Sequence, residues 1–320
     1  MTRTAVCVSG AFRGNLEALR TIENNLAKPL NADLFFATWN KNYVWPGMFD
    51  IGNFTGHRYL GYRICDMLPE RTLSYNQIRD LFPRTFKKLA NPVIEPLSDG
   101  TISQIKDVVP SLAGFQTVNE NEFNQLAKSF FADYLSHSAP KMINQLKMFF
   151  MMYRCEKLLQ EHEKSTGVTY DYVIKVRPDV FIPHPLTAEQ ISCIQKDEIM
   201  MKFFWCGLDD ILFVGERAAV SKIVSQWKAI VRNRQLSPYK RFSWASDHFL
   251  LLLHCVANNL KIVTSDGVRA FDIDLESVRR GGGLCYPFFS ELLDDIRAAH
   301  LENRYHQLVA YLEAEVRGRT

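Results

Sequence analysis

The chain has 320 residues, 47% of them hydrophobic and 23% charged, with a formal net charge of +3. That composition suits an ordinary globular protein with a sizeable core and excludes a disordered or low-complexity chain. So small a positive charge, with no Lys/Arg cluster interleaved with stacking aromatics, argues against nucleic acid as a partner.

The opening MTRTAVCVSGAFRG holds one short apolar run and no small-residue cleavage site, so a signal peptide is not expected. No stretch reaches the ~18 apolar residues that a spanning helix needs. The richest, HFLLLLHCVA, is flanked by polar residues. The seven cysteines are scattered, odd in number and lack any CxxC pair. That pattern predicts reduced thiols, with neither a disulfide frame nor a zinc knuckle. The expected location is cytoplasmic, at most peripheral to an inner membrane. The sequence leaves a homo-oligomer open.

In chain order, TAVCVSG reads as a strand, Gly10 and Gly14 bracket a turn, and NLEALRTIENNL is helical, with Leu16, Leu19, Ile22 and Leu26 on one face. ADLFFATW follows as a second strand. This β-α-β opening predicts a mostly parallel sheet with right-handed crossovers. Residues 39–138 read as an irregular, loop-rich insertion, with a helical piece broken at Pro83 and turn signals at Asn91-Pro92, Asp99-Gly100 and Pro110. Pro140 opens a helix whose Met/Phe stripe reads as core packing. YDYVIKV then reads as a central strand, and EIMMKFFWC and DDILFVG as two more. RAAVSKIVSQWKAIVRN, the stretch from Ser246 to Asn258, and residues 290–320 read as helices, with LKIVTS as a late strand. The C-terminal helix carries Leu292, Leu293 and Ile296 in its first apolar turn and is expected to pack on its own domain.

The central strand ends in Arg177-Pro178-Asp179. In open parallel sheets ligands bind beyond the carboxyl ends of the strands. Pro178 biases Arg177 towards extended backbone and ends the strand there. A guanidinium with a carboxylate two residues on suits a phosphate-plus-cation ligand, and equally suits an internal ion pair. The turn Ser9-Gly10-Ala11-Phe12-Arg13-Gly14 joins the first strand to the first helix, where main-chain N–H groups favour anions, and Arg13 is placed to pair with a phosphate. Asp209 and Asp210 precede the DDILFVG strand, one as a solvated turn residue and one as a site residue. Asp247 and His248 open the late helix, where Ser246 or Asp247 would also serve as an N-cap. RRGGGLCYPFF reads either as a cationic loop over a ligand or as an exposed connection. No HxH, HExxH or Gly-x-Ser-x-Gly occurs, which argues against a zinc or serine hydrolase.

These features resemble a group of bacterial surface-polysaccharide glycosyltransferases of the GT-A type. The likeness lies in the strand Tyr-Asp-x-Val-Ile-x-x-Arg-Pro-Asp, in the opening Ser-Gly-x-x-Arg (Ser9, Gly10, Arg13) and in Ala-Asp-Leu-Phe-Phe-x-Thr-Trp. The resemblance implies a single GT-A-like (Rossmann-like) domain over residues 1–320, a mostly parallel α/β sheet flanked by helices. It implies transfer of a sugar from a nucleotide-sugar donor to a glycan or other hydroxyl acceptor. Ser9, Gly10, Arg13, Arg177 and Asp179 would hold the donor, and Asp179 a divalent ion, Mn²⁺ or Mg²⁺. Asp247, with Asp210 behind it, would be the catalytic base. Arg177 stands where the family's motif has its first Asp, so a metal requirement stays open. Two other readings remain: a non-catalytic binding or assembly protein retaining the fold, and another nucleotide-dependent transferase such as a sulfotransferase.

Overall fold

A computed structural model describes residues 2–45, 47–50, 52–130, 141–204, 207–233, 247–273 and 288–317. Over these the chain divides into two compact units, one of residues 1–42 and 96–282, the other of residues 43–95 and 283–320.

The first unit is α/β, built on a seven-stranded sheet in the order β5-β2-β1-β6-β8-β7-β9. The strands are β1 (Thr4–Ser9), β2 (Asp33–Trp39), β5 (Leu112–Val118), β6 (Tyr172–Val176), β7 (Glu198–Phe204), β8 (Gly207–Glu216) and β9 (Lys261–Thr264). β3 (Lys41–Trp45) and β4 (Val93–Pro96) pair separately. Every pairing in the large sheet is parallel except those of β8, which runs against both β6 and β7. The sheet is therefore mostly parallel.

β1 is buried at all six positions, and β2 at all but its first. Such uninterrupted burial follows from helices covering both faces, which removes the alternation of a half-exposed strand. On one face Val6, Val8, Ile174, Val176 and Val214 pack with Leu19, Ile22 and Ile105. On the other lies the helix Lys141–Thr166, which packs on β1, β2 and β5. Its Met151, Met152 and Leu159 are buried, as core packing requires. The thiol of Cys155 donates to the carbonyls of Val8 and Phe35, at 3.5 and 3.4 Å.

β5 lies inside the stretch whose turn signals suggested loops. Its LAGFQTV has a glycine in the middle, which weakens the strand pattern. Gly114 is there because a Cβ would sit 2.9 Å from the Phe35 ring and 3.0 Å from Leu158. The helix Leu16–Ile22 starts with the Asn15 side chain accepting from the Ala18 N–H at 3.1 Å.

In the second unit, Ile64, Leu73, Ile78, Phe82 and Leu89 pack with Leu292, Leu293, Ile296, Tyr305 and Leu308. The C-terminal helices, Phe289–Ala298 and His306–Arg317, thus bury their apolar faces within their own unit. The helix Pro83–Ala90 has no cap from its own preceding residue, and Asp295 supplies one by accepting from the N–H groups of Arg84 and Thr85. No helix among the described residues is long and apolar enough to cross a membrane.

Candidate functional site

The site lies at the carboxyl edge of β1 and β6. Because β8 runs antiparallel to β6, its first residues arrive at that same edge. The register Val176↔Leu212 and the bond from Arg177 N–H to the Ile211 carbonyl, 3.0 Å, bring Asp209 and Asp210 beside Arg177. Sequence segments more than thirty positions apart meet through one reversal of strand direction.

The turn after β1 passes close under Pro178. Gly10 has φ +137°, and a Cβ there would lie 3.3 Å from Pro178 Cδ, so this position calls for glycine twice over. The Gly10 N–H donates to the Ala37 carbonyl at 3.2 Å, and the Phe12 N–H to Thr38 Oγ1 at 3.0 Å. With Phe12 buried as an anchor, Arg13 turns back towards β6.

Asp179 is 2% exposed and gathers both arginines. Arg177 donates Nε to Oδ1 at 2.9 Å and Nη2 to Oδ2 at 2.7 Å, and Arg13 Nε lies 2.9 Å from Oδ2. Burial alone would raise the Asp179 pKa. The guanidinium groups of Arg177 and Arg13 outweigh it and hold the carboxyl below its usual value. Burial likewise opposes the Arg177 charge, yet Asp179 and Asp210 reverse the shift upward.

The neighbouring acids divide. Burial would raise Asp210, but Arg177, whose Nη1 lies 3.8 Å from Asp210 Oδ2, and Lys175 bring it below its usual value. Burial and the adjacent Asp210 charge push the Asp209 carboxyl up. Lys175, 2% exposed, donates its ammonium to the Asp210 carbonyl, and burial lowers its pKa to about 8. Its Nζ also lies 5.7 Å from the Phe213 ring centre.

His248 comes to this corner from the helix Asp247–Ala257, and its Nδ1 lies 2.8 Å from the Leu208 carbonyl. A carbonyl only accepts, so Nδ1 carries the proton. The approach is tight: a Cβ on Gly207 would fall 2.2 Å from the His248 main-chain carbon and oxygen. One ligand atom each from Asp209, Asp210 and His248 lies within 4.8 Å of the others.

Of the residues expected from sequence, Arg13, Arg177, Asp179 and Asp210 come together here, with Gly10 shaping the turn. Ser9 is 3% exposed at the end of β1, and its Oγ has no hydrogen-bond partner among the described residues. Asp247 is the first residue of its helix, and its side chain lies outside the described part. Ser246 and the Arg279-Arg280 loop also lie outside the described residues. Sequence reading passed over Lys175, although a lysine amid YVIKV was the signal of a buried charge with a task. It also passed over Asn42, whose side chain sits 3.4 Å from where a Cβ on Gly14, at φ +74°, would lie.

Asp179 does not fit the metal ligand that the resemblance implies, because both its oxygens face guanidinium groups that repel a cation. No family model matches this chain, and no curated protein matches it.

Proposed function

We propose that the protein is a glycosyltransferase that moves a sugar from a nucleotide-sugar donor to an acceptor hydroxyl. The observation that carries this reading is the convergence of Arg13 and Arg177 on one buried carboxylate at the carboxyl edge of the sheet. In open α/β sheets this edge is where ligands bind. The Arg177 guanidinium has five N–H donors in a fixed fork, more than its two bonds to Asp179 use, so donors remain there to recognise phosphate oxygens.

In the reaction, the acceptor oxygen forms a bond to the anomeric carbon while that carbon's bond to the diphosphate oxygen breaks. The bonding pair leaves on the nucleoside diphosphate, whose growing charge Arg13 and Arg177 stabilise. The acceptor proton passes to a carboxylate, with Asp247 and Asp210 as the candidate bases. Asp179 orients both guanidinium groups.

The completeness of the Asp179 pairing also favours a second reading, in which the cluster closes the end of β6 and the chain serves as a binding or assembly protein. Thermal shift with nucleoside diphosphates, nucleotide sugars and phosphoadenosine phosphate separates the readings. A ligand at 100 times its Kd stabilises by about 2.7 kcal/mol. The transferase reading expects a rise with one nucleoside diphosphate that shrinks in Arg13→Gln. A rise with phosphoadenosine phosphate alone points to a sulfotransferase, and no rise with any nucleotide points to the binding protein.

A further inference from the structure

We propose that Asp209, Asp210 and His248 form a divalent-cation site, separate from the arginine-bound Asp179. Three ligand atoms, within 4.8 Å of one another, come from two elements: the start of β8 and the start of the helix Asp247–Ala257. Ligands sharing one ion at bond lengths of about 2.1 Å stand at most about 4.2 Å apart, so the three groups would draw in slightly around the ion.

Two independent features point to a ligand. Asp209 is 9% exposed, and only its Oδ1 is engaged, by the Ile211 N–H at 3.1 Å. Its Oδ2 has no hydrogen bond or ion pair among the described residues, which leaves that oxygen available to a ligand. Secondly, the Nδ1–H of His248 is committed to the Leu208 carbonyl, so in the neutral ring the lone pair sits on Nε2. A second ring nitrogen anchored to a main-chain carbonyl is the arrangement that orients metal-binding histidines.

Arg177 pairs with the Asp210 carboxylate only at long range, and among the described residues neither it nor Lys175 donates a hydrogen bond to either carboxylate. Lys175 directs its ammonium to the main-chain carbonyl of Asp210, and Arg177 stands 3.8 Å from the Asp210 carboxylate while bonding Asp179 directly. Carboxylates suit Mn²⁺ and an imidazole suits Zn²⁺, so this mixed donor set takes either ion. Next to Arg13 and Arg177, the ion adds positive charge where a diphosphate would lie. It takes Asp210 as a ligand and leaves Asp247 as the base for the reaction proposed above.

The test is titration of the chelator-treated full chain with Mn²⁺, followed by calorimetry and by the spin-resonance signal of free Mn²⁺, without nucleotide. One bound equivalent is expected, with affinity falling at least about tenfold in both Asp209→Asn and His248→Gln. Melting curves confirm that the variants are folded, and the pair keeps the test decisive if one is not. No Mn²⁺ binding by the wild type, or equal binding in both folded variants, overturns the assignment. Binding lost only in Asp179→Asn also overturns it and moves the ion to β6. Because no nucleotide is present, failure of the transferase reading leaves this result standing.

Discussion

Arg177 holds Asp179 through both oxygens, at 2.9 and 2.7 Å, although only Pro178 separates them in sequence. The proline makes this local pair work: it ends the strand and turns the chain so that the acid faces back along β6. Arg13 then joins from β1 at 2.9 Å. Asp179→Asn leaves two arginines facing a neutral amide. The loss in unfolding free energy should be about 3 kcal/mol, the low end for a broken buried pair, because both arginines keep some exposure. Urea denaturation measures it; a loss below ~1 kcal/mol means the arginines are held without Asp179.

Gly207 and Gly215 bracket most of β8 and should respond differently to alanine. At Gly207 the added carbon meets main-chain atoms of His248 at 2.2 Å, which cannot move without displacing the helix. At Gly215 the nearest atom, 2.4 Å away, is the end of the Ile199 side chain, which can rotate. Gly207→Ala should cost about 3 kcal/mol or more, and Gly215→Ala about 1. Equal melting temperatures for the two variants would contradict this account.

Asp295 holds the second unit together across a long sequence gap. It is 2% exposed and accepts from Arg84 N–H, Thr85 N–H and Thr85 Oγ1, at 3.1, 2.8 and 2.9 Å. Asp295→Ala strips the cap from the helix Pro83–Ala90 and leaves buried donors unpaired, which should cost about 2–3 kcal/mol. Proteolysis of residues 43–95 should accelerate in the variant, and an unchanged rate would argue against the cap's importance.

His254 is 6% exposed, and its Nε2–H donates to the Lys222 carbonyl at 2.9 Å. Burial pulls its pKa below the ordinary 6.5 more than this carbonyl raises it. The folded state therefore binds fewer protons than the unfolded chain. Its contribution to stability is complete above pH 6.5 and declines as pH falls from there towards the depressed pKa. Melting temperature should drop more between about pH 7.5 and about pH 5.5 in the wild type than in His254→Gln. Parallel pH profiles would show that His254 is not the group responsible.

The strands were legible where short, mostly apolar and β-branched or aromatic runs stood between turn signals. TAVCVS, DLFFATW and YVIKV lie in the middle of the sheet, with both faces covered, so composition alone marked them. β5 was hidden because it is an edge strand of the sheet, pairs among the described residues with β2 alone and carries Gly114. Its glycine answers to Phe35 and Leu158, which no local pattern contains. Of the site, Arg177 and Asp179 stood out through the proline between them. Lys175 did not, because its neighbours made it look like one odd letter in a strand.

The sequence by itself determined β1, β2, β6 and the helix between the first two, the end of β6 at Pro178 and the turn at Gly10, since each depends on backbone sterics and hydrophobic spacing within a few residues. Only the tertiary structure decided that β8 runs backwards, and with it that Asp209 and Asp210 stand beside Arg177 and within reach of His248. Strand direction depends on pairing between distant segments, and a strand reads the same whichever way its neighbour runs. Charges that look like a solvated turn in the chain become a buried cluster when that pairing removes their water.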